Sequence, residues 1–552
     1  MKYKTQPFAH QIEAYNFVGD KNYFALLMQQ GTGKTKTVID IAVDRYLKGE
    51  INAVMVIAPN HVHRQWAIEQ IPFHCAVPFK AEFFSSTAGK SKRINIYNLI
   101  HTDMPVLKWL CINVEAFSYS THLEEFKDYV TENKVFVILD EATAIKNPTA
   151  KRTQNIIHGC LTDCRYRGKT LISCTPLSID RAILTGTPIT NSPIDAWSMF
   201  EFLKPNYFNR SYYAFKAHYT IEQKMVIYQG NIMRTITTSL KDMNKIKELI
   251  KTPEGAIQAQ VDYGISADNI TYMQQHQDMN MPYKYLDELK DKMKEVSFFK
   301  NISDCFDLPP KVYRHRLVEL NAEQKSMYEA LEKEYIAEYE GKTVTVLNKI
   351  TLYTRLSQLA SGFLPFKDDD TGIVDIKNIG SNPKTEALIT EIENGDCPCI
   401  VVTRFTAEAK YLYMTLTETF KDKHIGIFIG PMKRPFNPIE EFKKGNIDVL
   451  IANERMISKG HNLQLSHTLY FFSSNYSLED RDQTEDRISR YGQTEKCVIT
   501  DFIADGTIDM KIYAAVKMKK NLLDYFRATS VKEDLCSIDT DMKDVFNFTD
   551  NA

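Results

Sequence analysis

An α/β architecture with two parallel sheets is what this chain predicts, and three observations carry the prediction. Short, near-continuous apolar runs alternate with segments of helical periodicity. The runs fall into two sets separated by a long polar middle. At 552 residues the chain is also too long for a single core. Two parallel-sheet lobes are therefore expected, with helical insertions between them and a helix at the C-terminal end.

In the first lobe the predicted strands are 23–28, 53–58, 111–114, 135–139 and 182–185. Ala53-Val54-Met55-Val56-Ile57-Ala58 shows no polar alternation, the mark of a strand buried on both faces. Residues 206–310 are polar and mixed, with Leu286, Leu289, Met293 and Val296 on one helical face. Residues 320–362 also read as helical. Strands return at 399–403, 426–430, 448–452, 468–472 and 498–502. Ile508, Ile512, Val516, Leu523 and Phe526 then mark an amphipathic helix, followed by an acid-rich tail. The expected divisions are residues 1–205 for the first lobe and 206–310 for a helical insertion. A linker and second-lobe insertion take 311–380, the second lobe 381–506, and the terminal helix and tail 507–552.

Hydrophobic residues at 43% and charged residues at 25% describe an ordinary globular protein. No apolar run is long enough to cross a bilayer, and the first ten residues have no signal-peptide core. A cytoplasmic monomer without membrane contact is expected, and the compact layout suggests a bacterial cell or a virus-infected host. The net charge of −2 supplies no whole-protein basic field, so any nucleic-acid contact must come from a local lining. Ten cysteines without paired spacing fit reduced thiols. His158, Cys160, Cys164 and Cys174 have the ligand types for zinc, but their spacing matches no common zinc module.

Gly31-Thr32-Gly33-Lys34-Thr35 follows a predicted strand and precedes a helical stretch. Glycines there let backbone amides approach phosphate oxygens at a helix N-terminus. Lys34 would reach the terminal phosphates and Thr35 would hold magnesium. The full phosphate-loop pattern fails at its first glycine, where Met28 stands, and the plain alternative is a glycine turn capping a helix. Strand 135–139 ends in Asp140-Glu141, two carboxylates at the strand end where open α/β sheets bind ligands. Asp140 would hold magnesium and Glu141 would orient or deprotonate the attacking water. The alternative for two such acids is the start of a helix.

These motifs belong to a longer ordered set. Asp140-Glu141-Ala142-Thr143-Ala144-Ile145-Lys146-Asn147 resembles the D-E-A-H-x-x-K-N box of Swi/Snf-type ATPases of helicase superfamily two, with Thr143 in place of histidine. Leu184-Thr185-Gly186-Thr187-Pro188-Ile189-Thr190-Asn191, then Trp197, is similar to that family's third motif. Leu308-Pro309-Pro310-Lys311, with Gln324 and Tyr328, resembles the opening of its second lobe. Gln483-Thr484-Glu485-Asp486-Arg487-Ile488-Ser489-Arg490-Tyr491-Gly492-Gln493 resembles its Q-x-x-x-R-x-x-R-x-G-Q motif.

The resemblance implies two RecA-like lobes, ATP and magnesium, and a DNA partner, duplex or branched. It places Gln11 where the family reads adenine, and Gly31, Thr32, Gly33, Lys34, Thr35 and Gly460 at the nucleotide. It gives Arg487 and Arg490 the role of paired arginines at the terminal phosphate, where the alternative is a solvated helix face. Pro59 and Asn60, Arg404, and Ser458 with Lys459 resemble segments that touch the nucleic-acid backbone. Trp66 nearby reads as packing rather than base stacking. Lys433, Arg434, Lys443, Lys444, Lys517, Lys519 and Lys520 are candidates for a basic lining. The implied activity is translocation on duplex DNA, with a strand-separating DNA or RNA helicase and a non-catalytic nucleic-acid scaffold as alternatives. No segment is recognised from sequence as a strand-separating pin.

Overall fold

The computed structural model describes residues 3–84, 90–101, 105–119, 123–159, 179–229, 232–240, 243–276, 281–341, 346–367, 374–378, 382–430, 437–458 and 462–527. Lys459, Gly460, Cys160, Cys164, Cys174, Lys433, Arg434 and the acid-rich tail lie outside them. The chain divides into two compact units, Met1–Cys305 with Phe526–Thr529, and Phe306–Tyr525 with Ser530–Ala552.

The first unit is built on a parallel sheet. Its strands are β1 (Tyr23–Met28), β2 (Ala53–Ala58), β3 (Phe79–Phe83), β4 (Leu107–Asn113), β5 (Val135–Asp140), β6 (Asp180–Leu184) and β9 (Ser297–Lys300). Their order across the sheet is β3-β4-β2-β5-β6-β1-β9. Every neighbouring pair is parallel. β1, β2 and β5 are buried along nearly their whole length, as their unbroken apolar runs require. The helix Lys34–Leu47 packs Val38, Ile39, Ile41, Ala42 and Val43 into the core on one face of the sheet. Each of the valine and isoleucine side chains contributes about 1.5–3 kcal/mol when fully buried.

The stretch 206–310 is more than a helical insertion. It holds an antiparallel hairpin of β7 (Glu222–Gln229) and β8 (Ile232–Ser239), and it ends in β9, which pairs with β1 in the main sheet. Ile221, Leu240, Ile246, Ile250, Ile270 and Met273 form a small core of their own beside the hairpin.

The second unit carries another parallel sheet. Its strands are β10 (Lys311–Val318), β13 (Cys399–Thr403), β14 (Ile425–Phe428), β15 (Val449–Asn453), β16 (Thr468–Phe471) and β17 (Cys497–Ala504), in the order β10-β17-β16-β13-β15-β14. Apolar clusters fill both of its faces. β11 (Phe363–Lys367) and β12 (Val374–Asn378) form a separate hairpin. The helices Ala322–Gly341 and Val346–Ala360 occupy the stretch expected to be helical. The helix Ile508–Arg527 buries Ile508, Ile512, Val516 and Leu523 against Tyr328, Leu352, Leu356 and Leu359. Among the described residues no helix is long and apolar enough to cross a membrane.

Candidate nucleotide and nucleic-acid sites

In a parallel sheet all carboxyl ends lie on one edge, and the order β2-β5-β6-β1 makes four of them consecutive. The loops that leave these strands carry Pro59 and Asn60, Asp140 and Glu141, Thr185–Thr187, and Gln29–Lys34. Register aligns Asp140 with Leu184 and Leu184 with Leu26, so the acid pair and the glycine loop stand at nearly one level.

The glycine loop has the backbone that a phosphate cradle needs. Gly31 and Gly33 adopt φ of +88° and +81°, a region that disfavours a side chain. A Cβ at Gly33 would stand 2.1 Å from Gln11 Nε2. Gly33 is the N-cap of Lys34–Leu47 and no side chain caps that terminus. Lys34 is buried, and its Nζ donates to the carbonyl of Met28 at 2.8 Å. Gln11 is buried against the loop: its Oε1 accepts from Phe8 N at 3.0 Å, and its Nε2 donates to the Thr32 carbonyl at 3.3 Å. The neighbouring His10 ring meets the same Thr32 carbonyl at 2.8 Å. Thr32 is thus a structural anchor, and Thr35 sits half-buried in the first helical turn.

Asp140 is buried at the end of β5. Its Oδ2 accepts from the Trp66 indole at 2.7 Å and its Oδ1 from the Glu141 amide at 3.0 Å. Burial pushes its carboxyl above the ordinary range, against the opposing pull of the Trp66 hydrogen bond, the Lys34 ammonium and the Glu141 amide. Glu141 takes a left-handed backbone, φ +48°, rare for a residue with a side chain and concentrated at functional sites. Hydroxyl and carboxylate oxygens from Thr35 and Asp140 suit magnesium, which takes one or two protein oxygens and completes its shell with phosphate and water. Among the described residues no group of three or more His, Cys, Asp or Glu side chains could hold a metal.

Trp66 packs, as expected, with 1% exposure, but its bond to Asp140 was not legible in sequence. The third motif is tied to the acid box by Lys146, whose Nζ donates to Thr190 Oγ1 at 2.8 Å. Thr190 in turn donates to Asp195 at 2.9 Å. Asn60 is exposed, followed by His61 at φ +68°, while Pro59 accepts from the His63 amide at 3.2 Å.

In the second unit the two motif arginines differ. Arg487 is buried, and both its Nε and its Nη2 donate to the Ser458 carbonyl. Ser458 is itself buried, with its hydroxyl turned to the carbonyl of Arg455 at 3.3 Å. Arg490 is half-buried, and its side chain makes no hydrogen bond or ion pair among the described residues. Burial lowers its guanidinium below the usual value, opposed by Asp486. Gln493 staples the loop after it, with Nε2 donating to Gln464, Ser466 and Ile488 carbonyls at 3.0–3.1 Å. Arg404 lies at the end of β13 with its guanidinium on Ser357 Oγ at 3.3 Å and over the Phe405 ring.

The helix Leu478–Glu485 is anchored by a buried charge network. Arg481 grips Asp501 with Nη1 at 2.5 Å and Nη2 at 2.8 Å, and its Nε donates to Glu485 at 2.8 Å. Glu485 also accepts from Tyr313 at 2.7 Å and Lys520 at 3.0 Å, and Lys311 pairs with Asp486 at 2.8 Å. Lys520 is therefore committed inside the protein rather than to a basic lining. Lys519 donates to the Tyr476 carbonyl at 2.7 Å, and Lys443 and Lys444 pair with Glu440 and Glu441.

The sequence model of the SNF2-related domain matches residues 10–360, more than half of the chain. An ATP-dependent helicase of Mycoplasma pneumoniae is 22% identical over 503 residues, covering 90% of this chain and 39% of the relative. Protein CHROMATIN REMODELING 24 of Arabidopsis thaliana is 20% identical over 562 residues, covering 97% and 47%. The chain spans about half or less of the length of these relatives. Among solved structures, the SWI2/SNF2 ATPase core of Sulfolobus solfataricus in complex with dsDNA is 18% identical, covering 96% of this chain and 94% of that one, with a TM-score of 0.37.

Proposed function

The chain belongs to the SNF2-related domain family, and on that premise we propose that it hydrolyses ATP and uses the energy to translocate on double-stranded DNA. The observation that carries the first half is the convergence of Lys34 and Asp140 at one edge of the sheet, on strand ends separated only by β6, where the Lys34 ammonium acts on the Asp140 carboxyl beside an uncapped helix N-terminus that follows two glycines of positive φ. Backbone amides of Gly31–Thr35 would hold the phosphates, and Lys34 would leave the Met28 carbonyl for the terminal phosphate oxygens. Thr35 and Asp140 would hold magnesium, which when bound neutralises charge on the phosphates. Glu141 would take the proton of the attacking water while Gln11 holds the loop and meets the base. The motif resemblance gives Arg490, whose side chain makes no hydrogen bond or ion pair among the described residues, the role of stabilising transition-state charge, a contribution of about 10³–10⁵ in rate. Arg487 would act by holding the Ser458 segment.

DNA as the track rests on the motif set: Pro59 and Asn60 in the first unit and Arg404, Ser458 and Lys459 in the second. Of these, Asn60 is exposed, whereas Arg404 and Ser458 carry internal hydrogen bonds, so backbone groups of those loops are the better phosphate contacts. A strand-separating helicase is the second reading, favoured by the eight-pair hairpin of β7 and β8. A strand-displacement assay separates the two.

Steady-state ATP hydrolysis, alone and with duplex, single-stranded and branched DNA, tests the proposal beside Glu141→Gln. Stimulation by duplex or branched DNA that the variant loses is the expected result. Turnover indifferent to any DNA would overturn the translocase reading.

A further inference from the structure

Two buried polar atoms at the carboxyl edge of the first sheet have no hydrogen-bond partner among the described residues, Gln30 Oε1 and Thr187 Oγ1. They belong to the two loops that Gly186 brings together. A Cβ at Gly186 would stand 3.2 Å from the Gln30 backbone nitrogen and 3.4 Å from the Met28 carbonyl oxygen, a tight fit that marks how closely the two loops approach. Thr187 is 3% exposed, and its amide is committed to Thr185 Oγ1 at 3.1 Å, which leaves its hydroxyl over. The next glutamine is occupied, since Gln29 Oε1 accepts from Ile302 N at 3.1 Å. Other buried polar atoms without a partner, such as Trp109 Nε1, Ser297 Oγ and Gln324 Nε2, sit on β4, β9 and the helix Ala322–Gly341.

A buried polar atom without a partner costs about 1–3 kcal/mol and is rare. Two of them on touching loops, beside the uncapped helix N-terminus and the Asp140-Glu141 turn, fit groups whose partner is a ligand. Gln30 directly precedes Gly31 in the candidate phosphate loop. A carboxamide oxygen is an acceptor, so its natural partner there is a water O–H rather than a phosphate oxygen.

We propose that Gln30 is a positioning residue for the attacking water, with the Thr187 hydroxyl donating to an oxygen of the terminal phosphate. The assignment rests on the ATP-hydrolysis reading above. The water oxygen forms a bond to the terminal phosphorus while the bond from that phosphorus to the bridging oxygen breaks, and ADP leaves with the electron pair. One water proton passes to Glu141, and the other O–H is held by Gln30 Oε1 until inorganic phosphate departs.

The test uses the full chain carrying Gln30→Ala or the volume-matched Gln30→Met, with Lys34→Ala as a control. Steady-state kcat and KM for ATP are measured with affinities for a fluorescent ADP and for ADP with aluminium fluoride. The expected result is a fall in kcat of about 10²-fold. KM and ADP affinity stay within about two-fold, the aluminium fluoride complex weakens with kcat, and thermal stability is unchanged or higher because an orphaned amide is gone. Turnover near wild type in both variants, or ADP affinity falling in step with kcat, would overturn the assignment. Wild-type turnover that survives Lys34→Ala would instead overturn the ATP-site reading itself.

Discussion

The indole Nε1 of Trp66 donates to Oδ2 of Asp140 at 2.7 Å, a buried bond between residues 74 positions apart. It fixes one carboxylate oxygen at the strand end and leaves the other oriented by the Glu141 amide. Trp66→Phe keeps the ring in place and removes only the N–H. Stability should fall by about 1–3 kcal/mol, the cost of an unsatisfied buried acceptor. The magnesium concentration for half-maximal hydrolysis should rise, because Asp140 loses its fixed rotamer. A magnesium titration of turnover checks this, and an unchanged midpoint would show that Trp66 only fills space.

Arg487 and Arg490 should separate cleanly. Arg490→Ala removes a side chain with no hydrogen bond or ion pair among the described residues, so the unfolding free energy should move by no more than about 0.5 kcal/mol while hydrolysis nearly vanishes. Arg487→Ala strips two donors from the Ser458 carbonyl and should cost about 1–3 kcal/mol as well as activity. Denaturant unfolding beside turnover measures both. Near-normal hydrolysis in Arg490→Ala would remove it from the site.

The fully buried strands were legible because burial on both faces leaves a continuous apolar run. β1, β2 and β13 stand at the residues expected. β3, β9 and β10 escaped for the converse reason. Each is at the edge of its sheet, has one neighbour, and tolerates polar residues such as Lys80, Glu82, Lys300, Arg314 and Arg316. The candidate residues Lys34, Asp140 and Glu141 were singled out from local spacing. The Trp66–Asp140 bond, the orphaned Gln30 and the partners of Lys520 were not, because a sequence shows a charge or a donor without the residue that folding sets against it.

The network around Glu485 makes an acid-sensitivity prediction. Lys520, Lys311 and Arg481 hold its carboxyl well below the usual carboxylate range, despite burial. A depressed folded value means stabilisation that is present above the unfolded pKa of about 4.3 and is lost as pH falls through the folded value. The thermal midpoint of the wild type should therefore drop steeply at acid pH, and Glu485→Gln should flatten that drop. At neutral pH the same variant should be destabilised by about 3–5 kcal/mol, since it leaves buried cations uncompensated. Equal acid slopes in the two proteins would sink the idea.

Glu454 predicts the opposite pH trend in the same unit. Its carboxylate follows β15, is 1% exposed, accepts from the Asn475 amide at 3.1 Å through Oε2, and has no partner for Oε1 among the described residues. Burial and the nearby Asp480 push it up to about 8, while Arg481, the Asn475 amide and Arg404 pull the other way. A raised folded value means that Glu454 contributes favourably below its unfolded pKa and progressively less as pH rises towards the folded value. The wild type should thus lose stability between about pH 5 and 9 by on the order of a few kcal/mol from this group alone. Glu454→Gln keeps a carbonyl acceptor for Asn475 and cannot ionise. Its thermal midpoint relative to wild type should climb across that window and level off above it, because ionisation in the folded wild type is then complete. A difference independent of pH would mean that Glu454 is already charged in the folded protein, with Arg481 and Arg404 outweighing the burial.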